Sequence, residues 1–145
     1  MPDNMRNRSI PDCTVIPELP CRDIQKMMQW YARAFGFTLR IGIGDHRAQL
    51  NVGDGAVVLI ERGETAATCP VLVRVQELQS HHDRAKRGGA KILRAPQDYP
   101  FGERQYTAVD PEGHRWTFSQ SIADVAPQDW GGTLGDLTRG SGALE

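Results

Sequence analysis

The fold is decided by the stretch Arg104-Gln-Tyr-Thr-Ala-Val-Asp-Pro-Glu-Gly-His-Arg-Trp-Thr-Phe-Ser-Gln120, in which two β-rich runs surround a turn. Asp110 can hydrogen-bond to the turn backbone, Pro111 fixes φ at about −65°, and Gly113 can adopt a positive φ. The stretch therefore predicts a β-hairpin closed by a tight turn.

The strand after this turn alternates strictly between polar and aromatic residues. Arg115, Thr117 and Ser119 share one face, whereas Trp116 and Phe118 share the other. Such alternation is typical of a strand with one face in a core and one face outside it. The polar face is the first candidate for a functional surface.

Length, charge and cysteine content limit the class of protein. The 145 residues are 39% hydrophobic and 24% charged, which is typical of one soluble globular domain. The net charge of −1 gives no indication of nucleic acid or an anionic membrane as a partner. We find no apolar run that could span a bilayer and no signal peptide. Cys13, Cys21 and Cys69 are odd in number and widely spaced, which favours reduced thiols and a cytoplasmic protein.

The same order of strands and helices is predicted twice. The first half contains a strand, a helix and three strands, over residues 13–19, 24–35, 37–43, 47–52 and 56–61. Asp23 is the expected N-cap of the helix, and Gly36 the residue that ends it. The second half repeats this order over residues 71–75, 77–87 and 91–95, followed by a loop over 96–102 and the hairpin.

The chain is therefore predicted to be an α+β protein made of two tandem βαβββ modules, residues 13–62 and 70–121, within one domain over 13–122. The strands are expected to form a curled and mostly antiparallel sheet. Residues 1–12 are predicted to be a flexible tail, residues 63–68 a linker, and residues 123–145 a second tail.

Two motifs resemble those of the vicinal oxygen chelate superfamily, the group of glyoxalases, bleomycin resistance proteins and extradiol dioxygenases. They are the helix motif Trp30-Tyr-Ala-Arg-Ala-Phe-Gly-Phe37 and the turn motif Asp110-Pro-Glu-Gly-His-Arg-Trp116, and the resemblance covers residues 15–122. It implies that paired modules enclose a cup, and that the cup is completed in a homodimer. It does not define an activity, because such proteins include isomerases, lyases, dioxygenases and pure binding proteins.

The resemblance also implies where a divalent metal would bind, on His, Gln or Glu side chains of the first and last strands of each module. Those positions fall at Ile16, Pro70 and Thr117, none of which is a strong metal ligand, and Glu61 lies near the fourth. One carboxylate does not hold a catalytic metal. We therefore expect no metal and no other cofactor at the usual site.

No catalytic arrangement is evident elsewhere in the sequence. His81 and His82 are neighbours on a predicted helix and point about 100° apart, so they cannot chelate one ion together. We expect His81 to be exposed and His82 to pack on the helix face. A Ser-His-Asp order with an oxyanion loop and a phosphate-binding glycine motif are both absent from the sequence.

The predicted ligand-binding residues are polar and aromatic side chains expected to line the cup. Strand alternation and the loop before the hairpin select Arg47, Gln49, Tyr99, Phe101, Arg104, Tyr106, Arg115 and Thr117. Arginines and aromatic rings suit a planar or partly anionic organic ligand. The sequence thus predicts a metal-free small-molecule binding protein that forms a homodimer. The alternatives are a metal-dependent lyase, isomerase or dioxygenase, and an interaction module with a vestigial cup.

Overall fold

The computed structural model describes residues 7–63 and 67–135, and these residues form eight strands and two α-helices. In chain order the elements are β1 (Glu18–Cys21), α1 (Ile24–Ala34), β2 (Thr38–Ile43), β3 (Arg47–Val52), β4 (Gly55–Glu61), β5 (Val71–Arg74), α2 (Leu78–Arg87), β6 (Lys91–Asp98), β7 (Glu103–Val109) and β8 (Arg115–Ser121). A short 3₁₀ helix follows over Pro127–Trp130. The predicted pair of βαβββ modules is confirmed.

Each module forms its own four-stranded sheet. The first sheet has the order β1-β4-β3-β2 and the second has the order β5-β8-β7-β6. In both, the first strand of the module runs parallel to its last strand, and the other neighbours are antiparallel. The prediction of a mostly antiparallel α+β fold is confirmed, with the strands divided between two sheets.

The helices begin where the sequence predicts and pack against each other. The Asp23 carboxylate accepts a hydrogen bond from the Lys26 backbone N–H at 3.0 Å and caps α1. The two helices meet where Gly88 follows α2, since a Cβ on this glycine would lie only 2.6 Å from the Cα of Ala34. Close helix contact therefore depends on the absence of a side chain at Gly88.

Both modules share one hydrophobic core on the helix side of their sheets. The ring centroid of Trp116 on β8 lies 5.4 Å from that of Tyr31 and 5.5 Å from that of Phe35, both in the first module. Phe118 lies 4.9 Å from Phe35 in the same way. Trp116 and Phe118 are fully buried, as the alternation predicted. The opposite face of each sheet lies outside this core, and we call it the open face.

The boundaries of two strands differ from the sequence prediction near prolines. β1 begins at Glu18, not at residue 13, and Pro17 just before it has no N–H for a strand ladder. Its carbonyl nevertheless accepts a hydrogen bond from the Val58 N–H at 2.9 Å. β6 continues to Asp98 through the predicted loop, and a shift in register before Gln97 accommodates Pro96.

The predicted tails and linker lie partly outside the described residues, namely at 1–6, 64–66 and 136–145. Residues 7–12, which the sequence assigned to a flexible tail, contact the open face of the first sheet. Cys13, Cys21 and Cys69 are free thiols. No helix in the ranges 7–63 and 67–135 is long and apolar enough to cross a membrane.

Candidate functional site

The open face of the first sheet carries a cavity of about 390 Å³. Its apolar walls are formed by Ile10, Pro11, Ile16, Ile43 and Val58. Its polar groups come from Glu18 on β1 and from Arg47 and Gln49 on β3. A cavity of this size with mostly apolar walls and a few polar groups is typical of a small-molecule site.

The segment before β1 forms one wall of this cavity. The Gln49 amide donates to the Ser9 carbonyl at 2.9 Å, and the Arg40 guanidinium donates to the Arg8 carbonyl at 2.9 Å. Arg40 also donates to the Gln49 side-chain oxygen at 2.5 Å, and Pro11 is buried. Side chains of the sheet thus hold the segment by its backbone, while Ile10 turns toward the cavity.

Two of the predicted ligand-binding residues, Arg47 and Gln49, are brought together in this cavity. Gln49 is only 5% exposed, and both ends of its amide are hydrogen-bonded. Arg47 forms an ion pair with Glu18 at 2.6 Å, and both side chains are about half exposed. Such an exposed ion pair contributes little stability. The Arg47 guanidinium can therefore leave the Glu18 carboxylate and bind another anion at little cost in free energy.

The open face of the second sheet is a row of hydroxyl and amide groups that join β7 to β8. The hydroxyl groups of Thr107 and Thr117 lie 2.9 Å apart, and the Gln105 amide donates to the Ser119 hydroxyl at 3.0 Å. Thr117 was predicted to lie on this face. Gln105 and Thr107 were not predicted, because Arg104 and Tyr106 on the opposite face of β7 were expected to line the cup.

A carboxylate ends this polar row. Glu103 accepts hydrogen bonds from the hydroxyl groups of Ser119 at 2.6 Å and Ser121 at 2.5 Å. These two bonds hold the pKa of Glu103 below its usual value, because they stabilise the ionised form. Glu103 was not predicted to belong to the site.

The predicted position of Tyr106 in the cup is wrong. Tyr106 pairs with Phe118 across the hairpin, so it faces the helices and is fully buried. Its hydroxyl group lies 2.5 Å from Nδ1 of His81, which in turn packs against Phe118 with 4.1 Å between ring centroids. His81 is therefore not the exposed residue that was expected, and burial lowers the pKa of its imidazole to about 4.

The remaining predicted residues lie away from the cavity. Arg104 forms an ion pair with Asp98 at 2.6 Å, which lowers the pKa of that carboxyl group. Tyr99 and Phe101 stack on each other with 5.4 Å between centroids, and Phe101 contacts Trp130 of the 3₁₀ helix at 5.6 Å. These two rings form a cluster beside the hairpin, and neither lines the 390 Å³ cavity.

Arg115 is exposed at the start of β8 and likewise does not line the cavity. It lies at the turn end of the hairpin, opposite Val109. Of the eight predicted residues, the structure therefore brings Arg47 and Gln49 together in one cavity and places Arg115 and Thr117 on the other open face.

The open faces do not offer a ligand set for a divalent metal. Ile16 lines the cavity and Thr117 is hydrogen-bonded to Thr107, and neither is a strong ligand. Glu61 is exposed and hydrogen-bonded to His46, whose pKa it raises. Across residues 7–63 and 67–135, no three His, Cys, Asp or Glu side chains are grouped so that they could hold an ion. The residues present do not fit the metal that the fold implies.

The family model described as Glyoxalase/Bleomycin resistance protein/Dioxygenase superfamily matches residues 12–118 of the chain. The chain belongs to this superfamily. The resemblance seen in the helix and turn motifs is thereby confirmed.

Relatives of known structure share this fold. TioX from Micromonospora sp. ML1 is 33% identical with a TM-score of 0.66, and the match covers 74% of this chain and 97% of TioX. A glyoxalase/bleomycin resistance protein/dioxygenase family enzyme from Burkholderia phytofirmans PsJN is 18% identical with a TM-score of 0.65, covering 74% and 97%. At 18% identity this second likeness shows the fold alone.

A relative in Mycobacterium bovis is an uncharacterised protein that is 27% identical over 100 residues. The match covers 69% of this chain but only 62% of the mycobacterial protein. The shared region therefore leaves more than a third of that relative unmatched.

Proposed function

We propose that this protein binds a small organic ligand, aromatic or partly anionic, in the cavity on the open face of the first sheet, and that it does so without a metal. The observation that supports this proposal is the lining of the cavity. Apolar side chains form most of its walls, and the side chains of Glu18, Arg47 and Gln49 provide the polar groups.

The Gln49 amide and the Arg47 guanidinium have different roles in the proposed site. The Gln49 amide is held by two hydrogen bonds, so it fixes the shape of the cavity at the position of Ser9. The Arg47 guanidinium is half exposed and its pair with Glu18 is exposed to water, so it is available for a carboxylate or phenolate of the ligand. The apolar part of the ligand would then lie against Ile16, Ile43 and Val58.

We further propose that a second copy of the chain completes the cup. Leu72 lies on the open face of the second sheet next to Thr117 and is 67% exposed. Leu93 and Ile122, on the strand and loop nearby, are also exposed. Exposed apolar side chains around a polar row indicate a surface that is covered by another protein. In the dimer, the second sheet of one copy would close the cavity of the other.

Ligand binding tests the proposal directly. We expect aromatic carboxylates to raise the melting temperature of the full chain in a thermal-shift screen, since a ligand that binds only the folded state stabilises it. In Arg47→Ala the affinity for such a compound should decrease by about threefold to tenfold. Arg62→Ala, which removes an arginine outside the cavity, is the matched control and should bind as the unchanged protein does.

Metal analysis of protein that has not met a chelator separates the proposal from the metal-dependent alternative. We expect no stoichiometric divalent metal and the same ligand affinity after EDTA treatment. One tightly bound Ni, Zn, Mn or Fe ion per chain, with binding lost on its removal, would contradict the proposal and favour a lyase, isomerase or dioxygenase.

A further inference from the structure

We infer that the cleft between the two modules, on the helix side of the sheets, is a second ligand site that binds an organic anion with an apolar body. The cleft has a volume of about 850 Å³ and shares no residue with the 390 Å³ cavity on the open face. It lies between the end of α1 with the β3–β4 turn and β5 with one face of α2.

The floor of the cleft is apolar. Phe35 and Phe37 contribute from the first module and are almost fully buried. Val73 and Val75 contribute from the second module and are partly buried. An aromatic or aliphatic group of a ligand that packs on this floor would be removed from water, and no core side chain would have to move.

The rim of the cleft carries charged side chains of both signs. Two guanidinium groups, of Arg84 and Arg87 on α2, lie beside two carboxylates, of Asp54 and Glu77. Across residues 7–63 and 67–135, no ion pair within 4 Å joins these carboxylates to these arginines. The positive groups are therefore not neutralised by direct partners in the cleft.

Arg84 is fixed in place by the end of α1. Its Nε donates to the Arg33 carbonyl at 3.3 Å and its Nη2 to the Ala32 carbonyl at 3.1 Å. Its Nη1 lies beside Gly36, where a Cβ would be only 2.8 Å away. Gly36 thus leaves space for the guanidinium, and Nη1 makes no hydrogen bond within the described chain.

Arg87 makes no side-chain hydrogen bond to any residue in the described ranges. Its charge acts on Asp83, whose carboxylate is already bonded to His82 and Gln79. The guanidinium group of Arg87 and Nη1 of Arg84 therefore keep their donors for a ligand.

This combination defines the chemical class of the ligand. Guanidinium groups bind carboxylate and phosphate oxygens through paired, charge-assisted hydrogen bonds. The phenylalanine and valine floor adds contact with a ring-sized apolar group. We therefore expect an aromatic carboxylate or phosphate monoester and not a free inorganic anion.

The test uses the full chain labelled with ¹⁵N and 1-naphthyl phosphate as the probe. We expect saturable shifts of backbone amide resonances at residues 35–37, 53–54 and 73–81, around the cleft. Arg87→Gln should weaken the affinity by about fivefold, the most expected of an exposed charge pair. Lys86→Gln removes the neighbouring charge of the same helix outside the cleft, and it should leave the affinity unchanged. Neutral 1-naphthol should bind more weakly than the phosphate.

Shifts confined to residues 9–11 and 47–49 would assign the probe to the open-face cavity and overturn the inference. Equal effects of Arg87→Gln and Lys86→Gln, or shifts that do not saturate, would overturn it as well. Arg47→Ala should not alter binding at the cleft. A failure at the cleft would leave the proposed ligand site on the open face untouched.

Discussion

Asp110 does more than form a turn. Its carboxylate accepts hydrogen bonds from the Tyr31 hydroxyl at 2.5 Å and the Trp116 indole N–H at 2.9 Å, besides the turn N–H groups of Glu112 and His114. It is only 4% exposed. Burial raises the pKa of the Tyr31 hydroxyl group, and the negative charge of Asp110 raises it further. One side chain thus joins the hairpin of the second module to the helix of the first.

Asp110→Asn is expected to lower the free energy of unfolding by about 1–3 kcal/mol. The amide nitrogen cannot accept from Trp116, so a buried donor loses its partner. Urea denaturation followed by tryptophan fluorescence measures the effect. Asp124→Asn, in the exposed segment after β8, is the control, and equal midpoints for both variants would contradict the role of Asp110.

His81 is expected to make stability depend on pH. The unfolded imidazole takes up a proton below its ordinary pKa of 6.5, whereas the folded one stays neutral down to about pH 4. The unfolded chain therefore binds more protons in this window, and the free energy of unfolding falls as pH decreases from 6.5 to 4, by about 1–3 kcal/mol. Urea denaturation at several pH values measures this loss.

The matched variants are His81→Gln and His82→Gln. In His81→Gln the decrease between pH 6.5 and 4 should be smaller, since no imidazole titrates at that position. His82→Gln should keep the pH dependence of the unchanged protein. If both variants lose the same fraction of it, buried His81 is not the source.

The positions of single residues were predicted well where neighbours in the sequence determine them. They were predicted poorly where a residue on another strand determines them. The Asp23 cap and the buried faces of Trp116 and Phe118 follow from neighbours in the sequence. The face of Tyr106 depends on hairpin register, which the five-residue connection 110–114 sets by pairing Val109 with Arg115. With Val109 opposite Arg115, Tyr106 lies opposite Phe118 and shares its buried face. The length of the connection was therefore the signal in the sequence that could have placed Tyr106 correctly.

At the level of elements, His114 links the two modules. It is fully buried at the end of the turn, and its Nδ1 accepts from the Cys69 backbone N–H at 3.0 Å. With Nδ1 as acceptor, Nε2 carries the hydrogen and donates to the Pro20 carbonyl at 2.8 Å. No sequence pattern could show this role, because its partners lie 45 and 94 residues away.

Gly88→Ala is expected to destabilise the protein by about 1–3 kcal/mol. The new methyl group would approach the Cα of Ala34 to 2.6 Å and force α1 and α2 apart. The backbone at Gly88 has φ −79°, so the cost comes from packing and not from backbone strain. The midpoint of thermal unfolding should fall accordingly.

Gly42→Ala provides the comparison, because a Cβ at that position on β2 meets no atom within 4 Å. It should change the melting temperature little. A similar loss for both glycines would show that helix contact at Gly88 is not responsible.

The order of elements was predictable because each has its own local periodicity, and both modules follow it. The ends of the strands were not predictable, since they depend on which backbone groups of other strands form hydrogen bonds with them. β1 begins after Pro17 and pairs with β4, about forty residues further along the chain. β6 passes through Pro96 because a register shift against β7 accommodates it.

At the scale of the whole molecule, the two open faces are unlike each other. The first open face combines apolar walls with the polar side chains of its cavity. The second is a row of hydroxyl and amide groups, with Leu72 and Leu93 exposed on the outer strands of the same sheet. Each face therefore offers what the other lacks. This difference is the physical basis for proposing that two copies pair through them.

Sedimentation analysis should show a dimer that Leu72→Glu converts to a monomer. The side chain is 67% exposed, so a charge there will not unfold the chain but will oppose burial between copies. Leu134→Glu changes a residue that is 65% exposed, after the 3₁₀ helix and outside both sheets' strands, and should leave the dimer intact. A monomer in the unchanged protein would contradict the proposed dimer.

The site was less predictable than the fold, since it depends on where distant segments meet. Arg47 and Gln49 were found by alternation along one strand. Ser9 and Ile10 were not, because the segment has no periodicity and lies on the sheet only through hydrogen bonds from Arg40 and Gln49. The cleft between the modules could not be predicted before both halves were in contact, since Phe35 comes from one module and Val73 from the other.

The position of the segment before β1 has a practical consequence for anyone who produces this protein. Ser9 and Ile10 line the cavity, so a shortened protein that starts after Pro11 would lack one of its walls. It would also lose the carbonyl groups to which Arg40 and Gln49 donate. Measurements of ligand binding therefore require a protein that keeps residues 7–12.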